Sequence, residues 1–341
     1  MNCQLIRLLT IQADWRYFPQ NDLLYRLVQD MKAFDELPGW ADRFSFSAHS
    51  PSGSIRPNCK EFFEKSIARP QRLYAPPGCR MIAGKVAEEY AKDIVIGGKH
   101  CAHSMRHAYS TFDGHRILEH DEMDAARWST IRDDLYEIPR TKEEKENAGN
   151  AEAITGTVLE LTCKHTASGL VEATQGANAV EDGRWVSVTL EGVELPFIGE
   201  IDVEAGGVVE IKTKWPTHSA KSKRGWNVNS LPARPDINHV GQVALYWKWL
   251  REQSENVPIK IVYANCKGWR VFSSADCEDL NESSLNDAID RMRIVARTRE
   301  NLMKNAGSIE ELFAMIAPDF SHFMWRDVPP EYLAAAKQRW G

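Results

Sequence analysis

Long hydrophobic runs are missing from this sequence: no apolar stretch reaches the roughly 18 residues that a membrane-spanning helix needs. The opening segment, MNCQLIRLLTIQADW, has too short an apolar stretch and no small-residue cleavage site, so no signal peptide is expected. Paired cysteines are missing as well. The seven cysteines are an odd number with no C-x-x-C pair, which argues against a zinc ribbon or a disulfide scaffold. Free thiols in a reducing, cytoplasmic compartment are the expectation. A positive charge balance is also lacking: the net charge is −6, so the chain as a whole has no attraction for nucleic acid. There is no internal repeat, coiled coil or low-complexity tract.

What is present is ample core material, 43% hydrophobic residues in 341, enough for one domain with insertions or for two. Charge is unevenly distributed. Lys212, Lys214, Lys221, Lys223, Arg224 and Arg234 fall in one segment without an acid, whereas Asp121 to Glu146 holds nine acids and five bases. The basic segment is either a solvated loop or a local surface for DNA.

Periodicity predicts helices over 21–34, over MIAGKVAEEYAKDIVIGG with a stop at Gly97-Gly98, over polar residues 123–147, and over 151–170. Phe44 to Phe62, rich in Ser and Pro, reads as a loop leading into a short helix. From about residue 177 the period changes. Short alternating stretches separated by Asp-Gly, Glu-Gly and Gly-Gly predict a strand meander. Helix returns after Pro235 with Asp236 as its cap, followed by two strands around Lys267-Gly268. A long helix stopped near Gly307 comes next, then a capping box at Ser308 and Glu311. PPEYLAAAKQRW reads as a Pro-initiated final helix. Helices flanking a strand-rich centre make the class α/β or α+β.

The meander carries the chemistry. If IDVE and VVEIK pair antiparallel through Ala205-Gly206-Gly207, Asp202 lies across from Glu210, with Cβ atoms about 5 Å apart. Carboxylates that close repel unless a proton or cation lies between them. Lys212 projects from the same face as Glu210. Two acids able to hold a divalent ion, with an ammonium beside them, suit phosphodiester cleavage. The bland alternative is a surface pair between Lys212 and Glu200, which falls opposite it in this register. On the next helix His239, Gln242 and Tyr246 share one face, where Gln242 and Tyr246 suit phosphate or water contacts, while Val240, Val243 and Trp247 lie on another face that can pack on the sheet. Most tryptophans read as core, with Trp215 and Trp226 excepted as possible base-stacking groups. His103 and His107 read as a polar helix surface, and Glu89 as solvent-facing.

Gly199 with Asp202, Glu210 with Lys212, and Gln242 with Tyr246 resemble the G-x-x-D strand, D/E-x-K strand and Q-x-x-x-Y helix of the PD-(D/E)XK nuclease superfamily. The first helical motif, Gly84 to Glu88 followed by Ala91, resembles the phage lambda-exonuclease-like branch more than the RecB-type branch, which has a histidine there. The resemblance spans roughly 44–272. It implies a restriction-endonuclease-like core, a central mixed sheet of four or five strands flanked by helices, with a helical insertion at about 100–170. Segments 1–43 and 276–341 would be helical additions to a 44–275 core. It implies Mg²⁺ or Mn²⁺ held by Asp202, Glu210, Glu88 and the backbone carbonyl of Ile211, with Lys212 positioning the attacking water. Gln242 and Tyr246 would contact the DNA backbone, and Lys214, Lys221, Lys223 and Arg224 would bind phosphates further out. No iron–sulfur cluster is expected, since Cys266 and Cys277 are the only late cysteines. The expected activity is a metal-dependent DNA exonuclease of phage or bacterial recombination. An endonuclease and a non-catalytic DNA-binding protein on the same fold are the alternatives. Homo-oligomers are possible partners, as is a single-strand annealing protein docking on 121–146; no membrane partner is expected.

Overall fold

The computed structural model describes residues 38–44, 46, 48–51, 63, 79–97, 158–218, 226–227, 229–254, 256–316, 318–321, 325, 328 and 330–340. The helices expected over 21–34 and 123–147, the histidines at 103 and 107, the proposed docking segment 121–146, and Lys221, Lys223 and Arg224 lie outside the described residues. Among the described residues no helix is long and apolar enough to cross a membrane.

The chain divides into two compact units. One collects the described parts of 1–75, 189–197 and 293–341; the other collects those of 76–188 and 198–292. The first unit contains α1 (Gly39–Arg43), the end of α5 (Glu282–Asn305), α6 (Ile309–Met315) and α7 (Pro330–Trp340). Its core is aromatic. Phe63 meets Tyr332 edge-on at 5.2 Å between ring centres, and Phe313 packs at 4.6 Å from Trp340. Ser308 caps α6 by accepting from the Glu311 N–H, as its sequence position predicts, and the Glu311 carboxylate reaches back to the Gly307 N–H.

The second unit is a mixed five-stranded sheet with helices against it. The strands are β1 (Glu181–Asp182), β4 (Val203–Glu204), β5 (Val208–Thr213), β8 (Ile259–Asn265) and β9 (Gly268–Ser273), side by side in the order β1-β4-β5-β8-β9. β2 (Trp185–Val188) pairs with β3 (Phe197–Glu200), and β6 (Thr217–His218) with β7 (Trp226–Asn227). The central place of β5 follows from its residues, since Val208, Val209 and Ile211 are buried and β-branched. It runs antiparallel to β4, in the register that pairs Val203 with Val209, and parallel to β8, in the register that pairs Glu210 with Ile261. A parallel partner requires a crossover, which α4 (Ile237–Arg251) supplies. α4 starts where expected: Asp236 accepts the Asn238 N–H at 2.9 Å.

α2 (Cys79–Ile96) and α3 (Val158–Thr174) cover the sheet face that Val209, Ile211 and Val262 present. α2 stops at Gly97, whose φ of 74° no β-branched residue adopts cheaply. The described part of the helix expected over 151–170 begins at Val158 and continues to Thr174, past Gly169. Gly169 is tolerated mid-helix because a Cβ there would lie 2.6 Å from Val262 Cγ1, so the glycine permits close packing on β8. Buried here, Cys163 and Cys266 are free thiols; burial pushes the Cys163 thiol up to about 12. Trp215, expected as a base-stacking group, belongs to this core instead, 6% exposed, its indole N–H given to Thr213 Oγ1. Basic neighbours in sequence misled, because two residues past the end of β5 the ring packs into the core.

Candidate active site

Alternation along β5 sends Val209 and Ile211 toward α2 and α3, and therefore Glu210 and Lys212 toward the opposite face. The hairpin has the expected register, but its ladder ends at Val203–Val209. Asp202 lies just beyond, and its Oδ2 accepts the Ile211 N–H at 2.7 Å. It thus stands beside the strand it was expected to face in a regular pair. Lys212 does not pair with Glu200. Its ammonium bonds the Glu210 carboxylate two residues earlier on the same strand face. Glu200 instead experiences the charges of Lys85 and Lys92, and burial raises its pKa.

Glu210 has no exposed surface. One carboxylate oxygen is held by Lys212, and the other, Oε2, is buried without a hydrogen-bond partner. An unsatisfied buried acceptor is costly, and either a proton shared with Asp202 or a bound cation would relieve it. Burial raises the Asp202 pKa well above the usual carboxylate range, with the Glu210 and Glu88 charges adding and Lys212 opposing. Glu210 is raised too, by burial first, against the pull of Lys212.

Glu88 reaches this cluster from α2. Gly84, one turn earlier, allows the approach: a Cβ there would meet Thr213 Oγ1 at 3.1 Å. The Glu88 carboxylate takes Lys85 at 3.0 Å and Lys92 at 2.8 Å, and Lys92 also reaches Asp182 at 3.0 Å. Burial opposes ionisation of Glu88, but the two lysines outweigh it and hold its pKa below normal. Glu89 is half-buried rather than solvent-facing, and burial raises its pKa. Among the described residues, no three acidic, histidine or cysteine side chains are gathered as a ready-made metal cage.

Glu88, Asp182, Glu200, Asp202 and Glu210 face Lys85, Lys92 and Lys212 across mutually interacting positions. Carboxylates outnumber ammonium groups in this cluster, so a proton or a cation shared by the buried members would relieve their repulsion. The orphaned Glu210 oxygen and the elevated Asp202 pKa fit a divalent cation at Asp202 and Glu210.

Tyr246 and Gln242 are buried on α4, with the Gln242 amide donating to Tyr246 Oη at 3.1 Å and Gln242 Oε1 left without a partner. Burial, with Glu210 beside it, drives the Tyr246 pKa far up, so the phenol keeps its proton. Lys214 lies 5.7 Å from the Tyr263 ring centre. The side chain of Trp226 is outside the described residues. Lys85 and Lys92 were missed by the sequence reading although their i, i+3 and i, i+4 spacing to Glu88 was available. Asp182 had no such signal, since only the β1–β4 pairing brings it near.

No protein-family model matches this chain, and no curated protein matches it. One solved structure, described as the crystal structure of SSO0001, aligns with 52% of this chain and 76% of its own at 19% identity and a TM-score of 0.24. A likeness at that score carries no argument.

Asp202→Asn is expected to raise thermal stability at pH 8 in EDTA. A raised carboxyl pKa means that protonation stabilises the fold fully below the ordinary range near 3.9, and that this contribution is lost as pH rises through the folded value. Asparagine mimics the protonated form and still accepts from Ile211. The gain should be a few degrees, at roughly 1–2 °C for each kcal/mol relieved in a chain of this length, and should shrink toward pH 4. Calorimetry across that range checks it; equal melting temperatures at pH 8 would contradict the assignment.

Proposed function

We propose that this chain is a divalent-metal-dependent DNA exonuclease. The observation that carries the reading is Glu210: wholly buried, bound by Lys212 through one oxygen, and without a hydrogen-bond partner at the other, beside a half-buried Asp202 whose pKa lies well above the usual carboxylate range. That combination is expensive for a structural hairpin and suited to a cation site. Asp202 and Glu210 would hold Mg²⁺ or Mn²⁺, joined by Glu88 and the Ile211 carbonyl that the family resemblance assigns. Such an ion supplies a water of lowered pKa and neutralises charge on the scissile phosphate.

The protein's own groups would do the rest. Lys212 remains cationic, since burial is outweighed by the attraction of Glu210 and Asp202, and it can orient a water or meet negative charge developing on the phosphate. Tyr246, protonated, is a neutral donor close to the acids. The Gln242 amide fixes the phenol, and Gln242 Oε1 offers an acceptor. Lys214 and the basic residues up to Arg224 would bind phosphates more remotely. End-directed action and a setting in phage or bacterial recombination are supported by the lambda-exonuclease-like order of motifs.

The test follows end-labelled linear duplex and closed circular DNA with Mg²⁺, Mn²⁺ or EDTA. Linear DNA should be consumed with metal and spared in EDTA, the circle should persist, and activity should fall with salt as phosphate contacts weaken. Cutting of the circle would replace the exonuclease with an endonuclease. Cleavage of neither under any metal would overturn the enzymatic reading.

A further inference from the structure

His239 occupies the first position of the α4 face that continues to Gln242 and Tyr246. Its Nδ1 lies 2.7 Å from Tyr263 Oη, and that same oxygen accepts the Asp236 N–H at 3.0 Å. Tyr263, on β8, is 0% exposed. Its phenolic proton therefore needs a protein acceptor, and among the described residues the His239 Nδ1 is the one within reach. Tyr263 must donate, Nδ1 must accept, and the single proton of the ring sits on Nε2. An imidazolium would place a second proton at Nδ1, against the phenol proton.

The surroundings agree. Desolvation first, then the charges of Lys212 and Lys214, lower the His239 pKa to about 4, with the Asp236 carboxylate opposing. The ring is thus neutral in ordinary buffers and lies within the influence of the lysine of the proposed site. Among the described residues no acceptor takes its Nε2–H. A half-buried donor of fixed tautomer, within the influence of Lys212 and on the α4 face that carries Gln242 and Tyr246, is organised toward an external acceptor.

We infer that His239 is a further substrate-binding residue, whose neutral Nε2–H donates a hydrogen bond to a non-bridging phosphate oxygen of the DNA. Tyr263 is its positioning residue, setting the tautomer through Nδ1. This rests on the nuclease reading above. A neutral donor suits the task, because it binds the phosphate without adding charge next to Lys212.

The experiment uses the full chain with ¹⁵N-labelled histidine, the His239 signals being those lost in His239→Leu. At pH 7 in EDTA, Nδ1 should show the unprotonated and Nε2 the protonated shift, and adding duplex DNA should move the Nε2 signal. Tyr263→Phe should populate both tautomers while the ring stays in place. In the cleavage assay His239→Leu should lower kcat/KM by about 10- to 100-fold, the range for a hydrogen bond to a charged group, and His239→Asn, which keeps a donor, should recover part of it. A protonated Nδ1 in the wild type overturns the inference, as does an Nε2 signal unmoved in a formed DNA complex. Wild-type cleavage with an equally active His239→Leu overturns this inference alone. A wild type that neither binds nor cleaves DNA overturns it together with the nuclease reading.

Discussion

Lys212→Ala is expected to abolish metal-dependent loss of linear DNA, by at least about 100- to 1000-fold, the range for removing one group that stabilises transition-state charge. It should also destabilise the protein, since Glu210 is left fully buried without its counter-charge. Removing one partner of a buried ion pair costs about 3–5 kcal/mol. Proton uptake by Glu210 limits that cost. Its pKa is already raised by burial against the opposing Lys212, so losing the lysine raises it further. Destabilisation should therefore be larger at pH 9 than at pH 6. The double variant Lys212→Ala with Glu210→Gln removes both charges and should recover much of the stability while staying inactive. Melting curves and kcat/KM for the single and double variants at both pH values separate the two effects. Full activity in the single variant, or its return in the double, would show that Lys212 does not act on the reacting phosphate.

The second large effect is expected at Gly183→Ala. A Cβ there would lie 1.5 Å from the Ile201 carbonyl oxygen and 2.8 Å from the Asp202 carbonyl carbon, both backbone atoms. No side-chain rotation can relieve this, so the chain around Asp202 must move. Gly183 donates its N–H to the Asp202 carbonyl at 3.2 Å, and Ile201 donates to the Arg184 carbonyl at 3.0 Å, and both bonds would be disrupted. The cost should exceed the roughly 1–3 kcal/mol of ordinary overpacking, and activity should fall because Asp202 is displaced. Gly268→Ala is the control, since nothing lies within 4 Å of a Cβ there; it should change the melting temperature little. Urea denaturation of both variants tests the contrast, and a Gly183→Ala protein as stable as wild type would refute it.

The difference between these two glycines shows where sequence reading ends. Asp182-Gly183 reads as a turn, and locally that is sound. Its actual constraint is the approach of residues 201 and 202, which depends on β1 pairing with β4. The hairpin around Gly206 was legible because its partners lie a few residues apart and its turn chemistry is local. The α4 cap at Asp236, the β8–β9 pair and the stop of α2 were legible for the same reason. The Lys212–Glu210 pair was not, because side chains on one strand face choose among neighbours by burial and depth, which register alone leaves open. Trp215 shows the converse error, where neighbouring basic residues suggested a role that packing into the core denied.

β5 has one partner close in sequence and one distant. β4 is joined to it by the short turn at Ala205 to Gly207, whereas β8 begins at Ile259, across the whole α4 crossover. Closing a short loop costs far less chain entropy than closing a long one, and non-local parallel pairing is slow. The hairpin that brings Asp202 and Glu210 together can therefore assemble while water still solvates both carboxylates. Their dehydration falls on the later docking of β8 and α4. On that ordering, folding would dehydrate late the same acids on which the proposed chemistry depends.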